Sequence, residues 1–150
     1  MKITDAFLGE HAVFYAQFIE CEDMIARVDL AGVKQAAGVI ASALATHADL
    51  EDMLLFQPLA DRADERASIF QIMDEEHRTI GALLVEIART HDPERGRELL
   101  LEMIHAAREH FLKEEQVAFP LAERLLGAEE LERLGVAWSE ARNVMVDASA

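Results

Sequence analysis

Two stretches of this 150-residue sequence follow one pattern, and that pattern restricts the fold more than any other feature. Residues 47–60 and 110–122 both read His-x-x-x-Glu-acidic-x-x-x-Phe and then continue to Pro-Leu-Ala. In an α-helix four residues advance by about 400°, so His and Glu at this spacing lie about 40° apart and one turn along. An imidazole and a carboxylate placed in this way hold one metal ion or bridge two.

The remaining histidine-bearing stretches are repeated as well. Glu10-His11 and Glu76-His77 are each followed by an alanine at the same distance, and the two copies are 66 residues apart. The two His-x-x-x-Glu stretches are separated by a similar 63 residues. The sequence therefore indicates two copies of a unit in which a helix with one His precedes a helix with His-x-x-x-Glu.

Apolar residues recur at steps of three and four over four long segments, which predicts amphipathic helices. Sustained apolar–polar alternation and hairpin turns are missing, so no strand is predicted. The chain is then one all-α domain over residues 1–150, an up-down-up-down four-helix bundle with a short extra C-terminal helix. Leu131, Leu134 and Trp138 are expected to pack over an open edge, and residues 147–150 to fray. The predicted bundle helices span about 5–28, from 33 to a point before Pro58, and 63–90. The loop His91-Asp92-Pro93 ends the third helix, and the fourth carries Leu99 to Val117 and bends at Pro120.

The predicted buried stripes contain polar residues among apolar ones. The first stripe runs from Phe7 to Val28, the second ends at Leu54, the third begins at Phe70 and the fourth ends at Val117. A lone His on such a face is usually a hydrogen-bonded core residue, but a buried unpaired carboxylate costs several kcal/mol. One shared metal site would satisfy all of these groups together. The polar residues on the stripes are His11, His47, Glu51, His77, His110 and Glu114.

These donors narrow the choice of metal. Four imidazoles and two carboxylates form a nitrogen and oxygen set without thiolate, and six side chains exceed the four of a structural zinc site. Two ions, with Glu51 and Glu114 as bridges and two histidines on each ion, use the whole set. Iron is the expected metal, with manganese or mixed occupancy as the alternative. Open positions would then accept dioxygen, nitric oxide or peroxide.

The order and spacing of the six residues, together with the Phe-Pro after the last, resemble those of hemerythrin-like, or HHE cation-binding, domains. The resemblance covers about residues 5–121. It implies a left-handed four-helix bundle around a non-heme di-iron centre, with the six residues as its ligands.

The third helix departs from the oxygen-carrying hemerythrins, which have His-x-x-x-His there. The residues four positions from His77 are Met73 and Gly81, and neither is a ligand for a hard iron centre. The set resembles the four-His, two-Glu members, among them bacterial proteins that repair iron–sulfur centres and the iron-sensing domain of a ubiquitin-ligase subunit. The cysteine-bearing N-terminal domain of the repair proteins has no counterpart here, which counts against repair.

Several neighbouring residues have two interpretations. Tyr15 follows His11 by four residues and either serves the site, as a hydrogen-bond donor or ligand, or packs in the core with its hydroxyl on a backbone carbonyl. Glu115 and Asp52 are turned about 100° further round their helices, which predicts an outer or solvated position. Gly81 either leaves space for a ligand or permits close helix packing. His105 and His91 are expected at the surface.

The charge balance limits the partners. A formal net charge of −15 argues against nucleic acid or an anionic membrane, because neither would be attracted. No apolar run resembles a signal peptide or a membrane span, and Cys21 has no partner for a disulfide, so a cytoplasmic protein is expected. The pattern does not indicate an oligomeric state.

Two classes of function fit the predicted site. The protein either binds or senses dioxygen, nitric oxide or iron, or it is an enzyme that turns over peroxide or nitric oxide or donates iron to damaged clusters. A purely structural metal, or none, is the third possibility. The sequence ranks the first two close together.

Overall fold

The computed structural model describes residues 1–60 and 67–144, and their secondary structure is helical throughout apart from short links. Four long helices form the bundle, and a fifth lies across the first. No strand occurs in the described ranges, so the all-α prediction is confirmed. The helices are α1 (Ile3–Met24), α2 (Leu30–Glu51), α3 (Ala67–Arg89), α4 (Pro93–Lys113) and α5 (Ala128–Arg142).

Aspartate side chains fix where two of the helices begin. Asp29 accepts a hydrogen bond from the Gly32 amide at 2.9 Å and so caps α2. Asp92 accepts one from the Glu94 amide at 2.9 Å, and Pro93, which has no amide hydrogen to lose, occupies the first position of α4. The prediction for the loop before Pro93 is therefore confirmed.

The first helix ends earlier than predicted, at Met24 instead of Val28. The buried stripe nevertheless continues past the end of this helix, as the 8% exposure of Ile25 shows. The backbone carbonyls of Ile25 and Val28 accept hydrogen bonds from the Arg97 guanidinium at 3.1 and 2.9 Å. Arg97 therefore supplies the hydrogen-bond donors that the amides of a further helical turn would otherwise have supplied to these carbonyls.

Both His-x-x-x-Glu stretches run into a π-helical turn, which the sequence did not predict. The turns are Asp52–Phe56 after α2 and Glu114–Ala118 after α4. Each passes into more α-helix, Gln57–Ala60 and Phe119–Leu126 respectively. The prediction that the second helix ends before Pro58 is therefore wrong. In a π-helical turn each backbone amide donates to the carbonyl five residues earlier. A proline, which has no amide hydrogen, can follow such a turn without ending the helix, as Pro58 and Pro120 do here.

The π-helical turns also change which residues are buried. Each turn holds one extra residue, which shifts the apolar stripe by one position. Val117, predicted as core, is 47% exposed, while Ala118 is fully buried. In the same way Leu55 is fully buried in place of Leu54, which is only partly buried.

The core consists of two clusters, one on each side of the six polar residues along the bundle. The larger cluster contains Phe14, Phe18 and Phe111. The second contains Ile3, Phe7 and the residues of both π-helical turns that point inward. The start predicted for the third helix, about residue 63, lies outside the described residues, as do the Phe70 side chain and residues 147–150.

Helix α5 packs against the second cluster, as predicted for the C-terminal segment. Leu131 and Leu134 are buried there, and Trp138 packs beside them. Gly135 allows the closest approach, because a Cβ atom at this position would lie 2.2 Å from the Met1 carbonyl oxygen. Among the described residues, no helix has both the length and the apolar character needed to cross a membrane.

Candidate metal centre

The six polar residues of the predicted stripes come together between the two core clusters. Five of them are at most 1% exposed, and the side chain of the sixth, His77, is 16% exposed. They form two groups, within each of which the possible ligand atoms lie within 4.8 Å of one another. Both groups contain Glu51 and Glu114. We refer to them by their histidines, as the His11/His47 group and the His77/His110 group.

The His11/His47 group joins α1 to α2. Nε2 of His11 lies 3.3 Å from a Glu114 oxygen and 3.8 Å from a Glu51 oxygen. Nε2 of His47 lies 3.4 Å from the other Glu51 oxygen, one turn along the same helix. The two Nε2 atoms are 3.2 Å apart. Four donors therefore point at one small volume.

The His77/His110 group joins α3 to α4 and uses the same two carboxylates. Nε2 of His110 lies 3.2 Å from Glu114 Oε1, and Nε2 of His77 lies 3.9 Å from Glu51 Oε2. Glu114 thus presents one oxygen to each group. Two donors at about 2.1 Å from a shared ion and at right angles are about 3.0 Å apart, close to the shorter of these separations.

The carboxylates at the centre have no hydrogen bonds. Both oxygens of Glu51, both oxygens of Glu114 and Nε2 of His110 are buried without a hydrogen bond. Their polar neighbours are the other groups of the same site, and burying two carboxylates together in this way costs free energy. A cation coordinated by the same atoms would remove that cost, and the nitrogen and oxygen donor set fits iron or manganese. The residues present therefore fit a metal centre.

Protons partly offset the buried charges. Burial, and then the nearby Glu114, raises the pKa of Glu51, whereas His11 and His110 outweigh burial and lower the pKa of Glu114. Burial would lower the pKa of His11, but the two glutamates outweigh it and raise that pKa to about 10. Burial and the adjacent His110 lower the pKa of His77 to about 4. His77 is therefore neutral at pH 7, which is the form that binds a metal.

Comparison with known protein families gives a match over nearly the whole chain. The Hemerythrin HHE cation binding domain matches residues 2–142. This chain belongs to the hemerythrin HHE cation-binding domain family. No curated protein and no solved structure matches it. Membership implies that the chain binds a metal, and the two His/Glu groups provide donors for it.

The hemerythrin-family core is surrounded by carboxylates that the sequence reasoning missed. Glu10 accepts a hydrogen bond from Nδ1 of His47 at 2.5 Å, and Glu76 accepts one from Nδ1 of His110 at 3.1 Å. Because an ionised carboxylate only accepts, a proton lies on Nδ1, and Nε2 faces the site as the atom that would bind a metal. The sequence signal for these carboxylates is the repeated Glu-His pair, in which Glu10 and Glu76 each precede a candidate ligand. Each glutamate contacts the histidine of the next helix along the chain.

Glu115 does the same for His11, as its predicted outer position suggested. Its Oε1 lies 2.9 Å from Nδ1 of His11 and accepts a hydrogen bond from the Tyr15 hydroxyl at 3.1 Å. Tyr15 therefore contacts an outer carboxylate, instead of the backbone carbonyl that was the alternative. Burial and Glu115 raise the pKa of Tyr15 to about 12, so the hydroxyl stays protonated as a donor.

Within the described part of the chain, His77 is the one histidine of the four without a carboxylate hydrogen-bonded to its Nδ1. By the repeat, its partner would be Asp52, the counterpart of Glu115. Asp52 is exposed, and no hydrogen bond joins it to His77 among the described residues. Aspartate is one methylene shorter than glutamate. His77 is thus the most exposed and the least supported of the four histidines.

The surroundings of the two groups differ. The His11 ring stacks on Phe111 with centroids 4.0 Å apart, and Phe7 and Phe14 contact the His47 ring edge-on at 5.6 and 5.2 Å. Beside the His77/His110 group, by contrast, lies a cavity of about 350 Å³ between α2, α3 and α4. Its lining is apolar apart from His47, His77 and His110.

The other singled-out residues lie away from the two groups. His105 and His91 are exposed, as predicted. Cys21 is buried in the larger core cluster, and burial raises the pKa of its thiol, which fits inert packing. Gly81 lines the cavity, and no heavy atom lies within 4 Å of the position that its Cβ would occupy. Close helix packing therefore does not explain this glycine.

Proposed function

We propose that this hemerythrin-family protein holds two iron ions and binds a small ligand, dioxygen or nitric oxide, on the side of the His77/His110 group. His11 and His47 would hold one ion and His77 and His110 the other, with Glu51 and Glu114 as bridges. The arrangement of donors supports this assignment, because both carboxylates belong to both groups. Manganese or mixed occupancy is the alternative that metal analysis would identify.

The position of the cavity supports ligand binding at the His77/His110 group. Both histidines of the His77/His110 group line the cavity, whereas only His47 of the other group reaches it and His11 is stacked on Phe111. Iron bound there would supply a redox-active Lewis acid with positions for dioxygen, nitric oxide or peroxide. The chain itself would admit the ligand through apolar walls and keep His11, His47 and His110 oriented through their Nδ1 hydrogen bonds.

The same walls favour binding over turnover of peroxide. Breaking the oxygen–oxygen bond of peroxide requires proton delivery, commonly from an acid–base side chain near the reacting atoms. The only titratable groups among the lining residues are the three histidines, which are already assigned to metal. No lining side chain other than these histidines could therefore deliver a proton to the bound ligand. Peroxide or nitric oxide turnover is the second candidate function, because the cavity would admit those substrates as well.

The experiment uses iron-loaded protein in its ferrous and ferric forms. We expect optical changes on adding nitric oxide or dioxygen to the ferrous form and azide to the ferric form, together with slow loss of added hydrogen peroxide. His77→Ala should abolish these responses, whereas His105→Ala, which changes an exposed histidine of α4, should not. Rapid peroxide disproportionation without a persistent ligand spectrum would replace binding with the enzymatic function.

A further inference from the structure

The cavity beside the His77/His110 group is much larger than a diatomic ligand needs. Its volume is about 350 Å³, whereas one water molecule takes up about 30 Å³ in the liquid. Pockets that bind small organic molecules begin at about 300 Å³. Val85, which also lines the cavity, is 48% exposed, so the cavity communicates with solvent.

The walls restrict the chemistry of an occupant. Leu44, Ala48, Ile80, Leu84 and Phe111 offer only apolar surface, and the imidazoles of the metal site are the sole polar groups among the lining residues. A polar body would lose its water hydrogen bonds without replacement. A molecule that fits this cavity would therefore have an apolar body and one polar group, placed at the end of the cavity where the histidines lie.

The charge of the metal centre would determine which polar group an occupant of the cavity carries. Two ferric ions held here would bring six positive charges, of which the carboxylates of Glu51 and Glu114 would neutralise two. The outer Glu10, Glu76 and Glu115 lie further away, and Arg142 and Lys113 contact two of them. A hard, positively charged centre favours an anionic oxygen donor.

Gly81 keeps part of this volume free. Glycine inside a helix costs about 1 kcal/mol relative to alanine, and here no neighbouring atom would obstruct a larger side chain. Gly38 in α2 is likewise free of heavy atoms within 4 Å, but it does not line the cavity. The two glycines are therefore a matched pair, of which only Gly81 affects the cavity.

We propose that this cavity binds a small apolar monocarboxylate, with its hydrocarbon body against the walls and its carboxylate on the metal at the His77/His110 group. The inference rests on the proposed function, because it needs the metal there. It adds the class of organic ligand that the site takes besides diatomic molecules. Gly81 sets the length of hydrocarbon that fits.

The test is optical and calorimetric titration of the ferric protein with straight-chain carboxylates from acetate to octanoate, with azide as the size-independent probe. We expect affinity to rise about fourfold for each added methylene until the cavity is filled. Gly81→Leu should abolish this rise, whereas Gly38→Leu should leave both the rise and the azide affinity as in the wild type.

The wild-type series decides the matter even if a variant does not fold. Equal affinities from acetate to octanoate, with azide still bound, would overturn the inference and leave the proposed function standing. A chain-length dependence that persists in folded Gly81→Leu would place the hydrocarbon elsewhere and also overturn it. Protein that holds metal but binds neither azide nor carboxylate would overturn both.

Discussion

The carboxylate of Glu10 lies 2.5 Å from Nδ1 of His47 and links this candidate ligand to the C-terminal helix. The same carboxylate accepts hydrogen bonds from Trp138 Nε1 at 2.9 Å and from the Arg142 guanidinium at 2.7 and 2.9 Å. Helix α5 therefore does more than pack on the edge of the bundle. It holds the Glu10 carboxylate, which orients the His47 ring.

Removing this support should weaken metal binding without removing a ligand. Loss of an outer carboxylate typically costs 10–100-fold in metal affinity, so we expect Glu10→Ala to lower it by that amount. Arg142→Ala should have a smaller effect in the same direction, since Trp138 still holds the carboxylate. Metal release to a chelator, followed optically, measures both. Arg133→Ala is the control, because Arg133 pairs with Glu130 in the same helix; equal release from all three variants would refute the link.

The pH dependence of stability should also involve Glu10. Burial would raise its pKa, but His47 and Arg142 outweigh burial and lower it from 4.5 to about 2. A carboxyl with a depressed folded-state pKa stabilises the fold above its unfolded pKa and loses that contribution as pH falls through the folded pKa.

Urea unfolding of metal-free protein checks this directly. Wild type should exceed Glu10→Gln by about 2–3 kcal/mol at pH 6, and the difference should narrow below about pH 4.5 and vanish near pH 2. A difference that stays constant over this range would show that Glu10 acts through packing alone.

The one-residue shift of the buried stripe after Glu114 predicts that substitutions at two adjacent positions differ in their effect on stability. Val117 is 47% exposed, so Val117→Ala should change the free energy of unfolding by at most about 0.5 kcal/mol. Ala118 is fully buried, so Ala118→Leu should destabilise by about 1–3 kcal/mol through overpacking. Thermal unfolding of both variants measures this; the reverse order would support the unshifted stripe of a regular α-helix.

Two helical glycines should respond oppositely to alanine. Gly81→Ala should stabilise by about 0.5–1 kcal/mol, because the site has room and alanine is the better helix former. Gly135→Ala should destabilise by about 1–3 kcal/mol, because its Cβ would meet the Met1 carbonyl oxygen at 2.2 Å. Denaturant midpoints distinguish the two, and stabilisation by both would show that α5 packs less closely on the N-terminus.

The sequence predicted the long helices and the convergence of the six residues because both follow from a period of 3.6 residues. It failed after Glu51 and Glu114, where a π-helical turn adds a residue that no local pattern marks. The roles of Glu10 and Glu76 also stayed hidden, since their partners lie on other helices. The repeat showed that these glutamates recur, but only packing shows which histidine each one contacts.

Metal content per chain, with the optical spectrum of aerobically purified protein, tests the central proposal most directly. We expect about two irons per chain, ferric bands in the near ultraviolet that respond to azide, and loss of metal with a lower Tm in His47→Ala and Glu114→Ala. His105→Ala should retain the metal of the wild type. One zinc per chain, or no metal after iron-supplemented expression, would contradict the di-iron proposal.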